Sequence, residues 1–118
     1  MELFWILSDI TIVGQCGLTS IDYVNGNAEY SMLIGPEHQG NGYATMAMKE
    51  LLRVAFDVLR LHLVWGEIYK FNKKGKEVAI RSGMKVDGTL RDRYYRNGKY
   101  VDVVHVSMTE YEWAKLNY

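Results

Sequence analysis

The stretch Glu29-Tyr30-Ser31-Met32-Leu33-Ile34-Gly35-Pro36-Glu37-His38-Gln39-Gly40-Asn41-Gly42-Tyr43-Ala44-Thr45 decides the reading of this chain, because within it the hydrophobic period changes from that of a strand to that of a helix. Ala28 to Ile34 is strand-like, and Gly35-Pro36 stops it, since proline has no N–H to give to a sheet ladder. From Tyr43 to Arg60 the residues Met48, Leu51, Leu52, Ala55 and Leu59 fall on one helical stripe, with Lys49, Glu50, Arg53, Asp57 and Arg60 around it. The intervening loop delivers the chain to a helix start, where unpaired N–H groups and partial positive charge suit an anionic phosphate group. Gly40 and Gly42 omit the Cβ atoms that would block close approach, and Thr45 adds a hydroxyl in the first turn. The same residues also make an ordinary strand-to-helix turn, and the loop by itself does not choose between the two.

The spacing excludes two common phosphate sites. A Walker loop ends in Gly-Lys-Ser/Thr, whereas Gly42 is followed by Tyr43-Ala44-Thr45. A dinucleotide fingerprint needs a third glycine and an acidic residue about twenty positions later, and neither is in place.

Outward from this junction, Leu3 to Leu7 is an apolar run ended by Ser8-Asp9, and Thr11 to Tyr23 is β-branched and aromatic, so both read as strands. Asn25-Gly26-Asn27 is a tight-turn signal that joins the second run to Ala28–Ile34 as an antiparallel meander. After the helix, Leu61 to Phe71 reads as a strand ended by Asn72, Lys73 to Ser82 as a basic helix stopped by Gly83, and Met84–Tyr95 and Lys99–Met108 as strands joined across Arg96-Asn97-Gly98. A short segment, Glu110 to Leu116, closes the chain. The order β-β-β-α-β-α-β-β predicts an α+β or mixed-sheet layout with two main helices, in a single domain over residues 1–118.

Composition narrows the function classes. The 118 residues are 48% hydrophobic, as in a folded domain, and 14 basic residues balance 14 acidic ones. That balance gives no electrostatic footprint for nucleic acid or an anionic membrane. No apolar run is long enough to span a bilayer, and Met1-Glu2 lacks the basic start of a signal peptide, so a cytoplasmic protein is expected. Cys16 is read as a small core residue, and His38, His62 and His105 lack metal-ligand spacing, so no metal is expected.

Gln39-Gly40-Asn41-Gly42-Tyr43-Ala44 has the form Gln/Arg-x-x-Gly-x-Gly/Ala and resembles the acetyl-CoA pyrophosphate loop of the GNAT N-acetyltransferase superfamily. The surroundings agree: a preceding strand, a following amphipathic helix, a strand ending in Asn72, and Gly83-Met84 where the family often has Gly-Phe. The downstream pattern Gly88-x-Leu90-Arg91, Asn97-Gly98-x-Tyr100-x-Asp102 and Glu112-Trp113 is similar to the ribosomal-protein and nucleotide-sugar acetyltransferase branches. The resemblance implies acetyl-CoA as cosubstrate, with Met32, Leu33 and Ile34 along its pantetheine arm. It implies main-chain contacts from Gln39, Gly40, Asn41, Gly42, Tyr43, Ala44 and Thr45 to its pyrophosphate, and Asn72 near its thiol end. Simple strand termination is the other reading of Asn72.

Amine acetylation requires a base for the ammonium, donors for a developing oxyanion and a proton for the departing thiolate. Glu67 is the first candidate base and Glu29 the second, each acting directly or through water; each also reads as an ordinary solvent-facing carboxylate. The family's usual tyrosine acid falls at Ala79 and the hydroxyl used by other members at Gly75, so Tyr69, on the side of the strand that carries Glu67, is the substitute, with Tyr94 and Tyr95 less well placed. The family's opening strand and helices fall ahead of Leu3, so the chain reads as a natural minimal form, a fragment, or a protomer that completes its pocket as a homodimer, the last favoured by the apolar surface those helices would cover. The expected activity is acetyl transfer to a primary amine of a small molecule or peptide, either a protein N-terminus or an amino-sugar nucleotide. A catalytically weak CoA-binding module is the alternative.

Overall fold

Alternation builds the sheet and the helical stripe covers one side of it. The computed structural model describes residues 2–8 and 11–116, so Asp9, named above as a strand stop, lies outside the described residues. The strands are β1 (Glu2–Ser8), β2 (Thr11–Asp22), β3 (Asn27–Ile34), β4 (Leu63–Tyr69), β5 (Lys85–Arg96) and β6 (Lys99–Thr109). The helices are α1 (Tyr43–Arg53), α2 (Lys73–Arg81) and α3 (Glu110–Ala114). They form a six-stranded sheet in the order β1-β2-β3-β4-β6-β5. All neighbours run antiparallel except β3 and β4, which are parallel. The predicted mixed sheet and its element order are observed.

Period-2 alternation sends Ala28, Val64, Ile68, Val104, Val106 and Met108 to the face that meets the helices, where Met48, Leu51, Leu52, Ala55 and Ala79 complete the core. Cys16 is buried in this cluster as an unpaired thiol, and burial pushes its pKa up, as for an inert packing residue. Ala79 is fully buried there, so the position where the family's acid falls belongs to the hydrophobic core.

The helix expected over 43–60 is α1 followed directly by a π-helical turn at Val54–Val58, closed by the Leu59 N–H to Val54 carbonyl bond at 2.9 Å. Trp113 of α3 seals this turn: its ring stacks on Phe56 at 5.8 Å, and its Nε1 donates to Asp57 Oδ1 at 2.9 Å. Thr109 and Glu112 form a capping box that starts α3. Glu112 and Trp113, singled out in the sequence, thus hold the C-terminal helix in place. The strand expected over Leu61–Phe71 is shorter: Arg60 has φ 58°, and Leu61 packs into the core before the ladder begins at Leu63. Among the described residues no helix is long and apolar enough to cross a membrane.

Candidate functional site

The parallel pair β3/β4 is joined only at Asn27–Leu63, Ala28–Val64 and Glu29–Trp65. Beyond these residues the two strands separate, leaving Tyr30 to Ile34 without β4 as a neighbour, although β3 stays paired with β2 as far as Ile34 and β4 with β6 as far as Tyr69. Tyr30 and Gly66 stand at the first separated step. Tyr30 lies across Gly66 so closely that a Cβ at Gly66 would sit 2.2 Å from its ring. That ring is largely buried against the core, and burial first, then the charge of Glu29, pushes its hydroxyl up to about 12.

Because the strands are parallel, both carboxyl ends lie at the open end of this split, and so do the segments that follow them. After β3 come the 3₁₀ turn Pro36–His38, the glycine loop and the start of α1. Gly40 and Gly42 have φ of 84° and 78°, the left-handed region that favours glycine, and a Cβ at either would meet nothing within 4 Å. The loop is thus open toward solvent. No side chain caps α1 at Gly42, and its first helical bond is Met46 N–H to the Gly42 carbonyl, so the amides of Ala44 and Thr45 have no intrahelical acceptor. The side chains of Gln39 and Asn41 brace the loop: Gln39 Nε2 donates to the Ile34 carbonyl and Asn41 Nδ2 to the His38 carbonyl, each at 3.2 Å. After β4, Asn72 caps α2 by accepting from the Gly75 amide at 2.9 Å. A Cβ at Gly75 would stand 2.7 Å from Asn72 Nδ2. The termination reading of Asn72 thereby gains a specific form: its side-chain oxygen starts α2.

On the sheet face away from the helices, the structure brings Glu29, Glu67 and Tyr69 together, with Tyr94 and Val103, around a cavity of about 190 Å³. Glu67 is nearly enclosed, with 13% of its side chain exposed. Its Oε1 accepts from the Tyr94 hydroxyl at 3.1 Å. Its buried Oε2 has no hydrogen-bond donor and only the Arg93 Nε ion pair at 3.6 Å. Burial, then the Glu67 charge, raises the pKa of Glu29, and His105 offsets part of this. Tyr69 is held in an aromatic group, stacked on Phe71 at 5.2 Å and edge-on to Tyr94 at 5.9 Å, with the Arg96 guanidinium 4.9 Å above its ring. Tyr94, ranked behind Tyr69 in the sequence, is the tyrosine that touches Glu67. His105 and its partners Trp65 and Asp87 were missed. His105 stands opposite Glu67 in the β4/β6 register, stacks on Trp65 at 5.4 Å, and has Nδ1 2.9 Å from Asp87 Oδ2. No sequence spacing links these residues; only strand register does.

Known proteins share this fold. The family model for the acetyltransferase (GNAT) domain matches residues 2–85. A spermidine N(1)-acetyltransferase of Vibrio cholerae is 32% identical over 92 residues, covering 78% of this chain and 53% of that protein. A putative ribosomal N-acetyltransferase of Bacillus subtilis is 34% identical over 108 residues, 92% of this chain and 59% of that one. The chain therefore spans a little over half the length of these two relatives. The crystal structure of the Vibrio cholerae spermidine N-acetyltransferase in complex with CoA and spermine superimposes with a TM-score of 0.90 at 26% identity, over 96% of this chain and 68% of that one. With its separated parallel strands, glycine loop and matching family model, this chain belongs to the GNAT acetyltransferase domain family.

Proposed function

We propose that this domain transfers the acetyl group of acetyl-CoA to the primary amine of a cationic acceptor, with Glu67 as the group that takes the ammonium proton. The observation that carries the reading is the split itself. An extended ligand bearing amides can lie along Tyr30–Ile34 of β3, with its diphosphate at the Gly40–Thr45 turn and its reactive end near Asn72 and the Glu67 cavity. The fit is one of shape and chemistry: an unpaired strand edge suits a peptide-like arm, and an open glycine turn with helix-start amides suits a diphosphate.

Acetyl-CoA, when bound, supplies an activated thioester; the remaining requirements fall to the chain. Main-chain groups of β3 at Leu33 and Ile34 orient the arm and furnish donors for developing negative charge. Glu67 Oε2, enclosed and without a hydrogen-bond donor, has lone pairs available to the acceptor ammonium or to one intervening water. Tyr94 holds the other oxygen so that the carboxylate presents one edge. Tyr69 walls the cavity and is the candidate acid.

Glu29 and Glu67 share one cavity, and their paired negative charge favours an acceptor carrying positive charge beside the reacting amine. A polyamine and a peptide N-terminus satisfy this; the diphosphate of an amino-sugar nucleotide works against it. Calorimetry with CoA and mass spectrometry of products from spermidine, a peptide with a free N-terminus and an amino-sugar nucleotide test the reading. CoA binding that is lost in Gly42→Trp, with acetylation of a cationic acceptor, is the expected result. Tight CoA binding without any product leaves the CoA-binding module instead, and CoA binding unaffected by Gly42→Trp removes the cofactor site from this loop.

A further inference from the structure

We propose that Asp102 is a positioning residue for Glu67, acting through an irregularity in β5 that it holds in place. The proposal rests on the assignment of Glu67 as proton acceptor. β5 and β6 pair regularly at Thr89–Val104 and Leu90–Val103, and again at Tyr94–Val101. Between these points Arg91, Asp92 and Arg93 stand against Asp102 alone, so β5 carries two extra residues. Asp92 at the centre of the bulge has φ 51°, the left-handed region that few residues besides glycine, asparagine and aspartate enter. The fixing contact is its amide N–H, which donates to Asp102 Oδ1 at 2.8 Å. Asp102 is itself tied to the neighbouring strand end: Lys70 N–H donates to its carbonyl at 3.0 Å, and Lys70 Nζ lies 4.0 Å from its Oδ2.

The bulge determines which side chain reaches Glu67. In an unbroken ladder, Asp92 would lie opposite Val101 and would point a carboxylate toward the cavity. Two extra residues put Tyr94 there instead and keep it on the same sheet face as Leu90 and Val103, because an even insertion preserves the alternation. At that position the Tyr94 hydroxyl meets Glu67 Oε1 at 3.1 Å, and adjacent Arg93 comes to 3.6 Å from Oε2. One carboxylate on β6 therefore sets, through one main-chain bond, the two groups that orient another carboxylate on β4. Asp102 ends the Asn97-Gly98-x-Tyr100-x-Asp102 pattern, and its spacing from the Asn97-Gly98 turn is what brings it level with the bulge.

The carboxyl ¹³C resonance of Glu67, assigned by its disappearance in Glu67→Gln, tests this in the free protein. Asp102→Ala should move that resonance in the direction and by about the size that Tyr94→Phe moves it, and the double variant should add little more. Asp102→Asn, whose side-chain oxygen still accepts from the Asp92 amide, should leave it near its original position. A Glu67 resonance untouched by Asp102→Ala, in a variant whose only change is a lower Tm, overturns the proposal and leaves Asp102 a hairpin brace. Should Asp102→Ala not fold, Asp102→Glu displaces the same acceptor by one methylene, and an unmoved resonance there is equally fatal. Where turnover of spermidine is measured, Asp102→Ala should lower kcat about 10- to 100-fold with little change in KM for acetyl-CoA. Wild-type turnover by Glu67→Gln would instead defeat the assignment of the base, independently of what the resonance shows.

Discussion

Replacing Gly66 by alanine tests why β3 and β4 part. The added Cβ would lie 2.2 Å from Tyr30 Cε1 and 2.8 Å from its Cδ1 and Cζ, against an ordinary carbon contact of about 3.5–4.0 Å. The ring must therefore move by about 1.5 Å or leave its place. Overpacking of a filled site costs about 1–3 kcal/mol, and complete expulsion of a tyrosine ring forfeits about 4–6 kcal/mol at 25 cal/mol per Å² over about 150–250 Å². Partial relaxation puts Gly66→Ala at about 2–4 kcal/mol. For a domain of this length that is a fall in Tm of about 8–16 °C, measurable by circular dichroism. CoA affinity should fall too, because Tyr30 opens the stretch of β3 that faces the split. The companion measurement is Tyr30→Ala alone and combined with Gly66→Ala. If ring and Cβ compete for one volume, the double variant is much less destabilised than the sum. A Tm within about 2 °C of wild type for Gly66→Ala, or a coupling below about 0.5 kcal/mol, refutes the argument that this contact wedges the strands apart.

Two further outcomes follow from the caps and charges. Asn72→Ala should lose about 1 kcal/mol with its capping bond, and Gly75→Ala should be near neutral in the wild type but stabilising by about 1 kcal/mol in the Asn72→Ala background, where the colliding amide is gone; equal effects in both backgrounds by thermal melts would contradict the capping geometry. Glu29 has a folded pKa raised above its unfolded value, so its contribution to stability is complete below the unfolded value near 4.3 and is lost as pH rises through the folded value. Glu29→Gln should therefore match wild type in Tm at about pH 4 and exceed it at neutral pH, and parallel Tm curves across that range would remove the charge argument.

Much of this was legible in the chain because the signals were local. The change of period at Gly35–Gly42 placed α1, and Asn97 and Gly98, with φ of 51° and 82°, take the two positive values a tight hairpin turn needs. Asn25-Gly26 was read for the same reason, and there Asp22 Oδ1 accepts from the amides of Val24 and Asn25. What local signals did not carry was the choice of tyrosine. Counting by twos along β4 correctly set Tyr69 on the side of Glu67, and the same count keeps Tyr94 on that face, but the bulge at Arg91–Arg93 changes which residue of β5 stands opposite Val101 and so which tyrosine reaches Glu67. The split was illegible from residues for a related reason. Gly66 in a run of strand formers shows only that something approaches closely; that the visitor is Tyr30, thirty-six positions earlier, depends on the parallel pairing of two strands separated by a helix.

These features follow from one division of labour between the faces of the sheet. The alternation that points Ala28, Val64 and Ile68 into the helix-covered core also points Glu29, Trp65, Glu67 and Tyr69 to the opposite side. A change at Glu67 consequently leaves the packing of α1 and α2 untouched, while the core can hold β4 rigidly enough to fix where Glu67 stands. Tyr30 and Gly66 are where the two faces depend on each other. Their side-chain positions belong to the core, yet the space they occupy decides how far the main chains separate, and only separated main chains leave β3 with an edge for a ligand. Stability and ligand binding should accordingly respond together at Gly66 and separately at Glu67, a contrast that a merely loosened sheet would not produce.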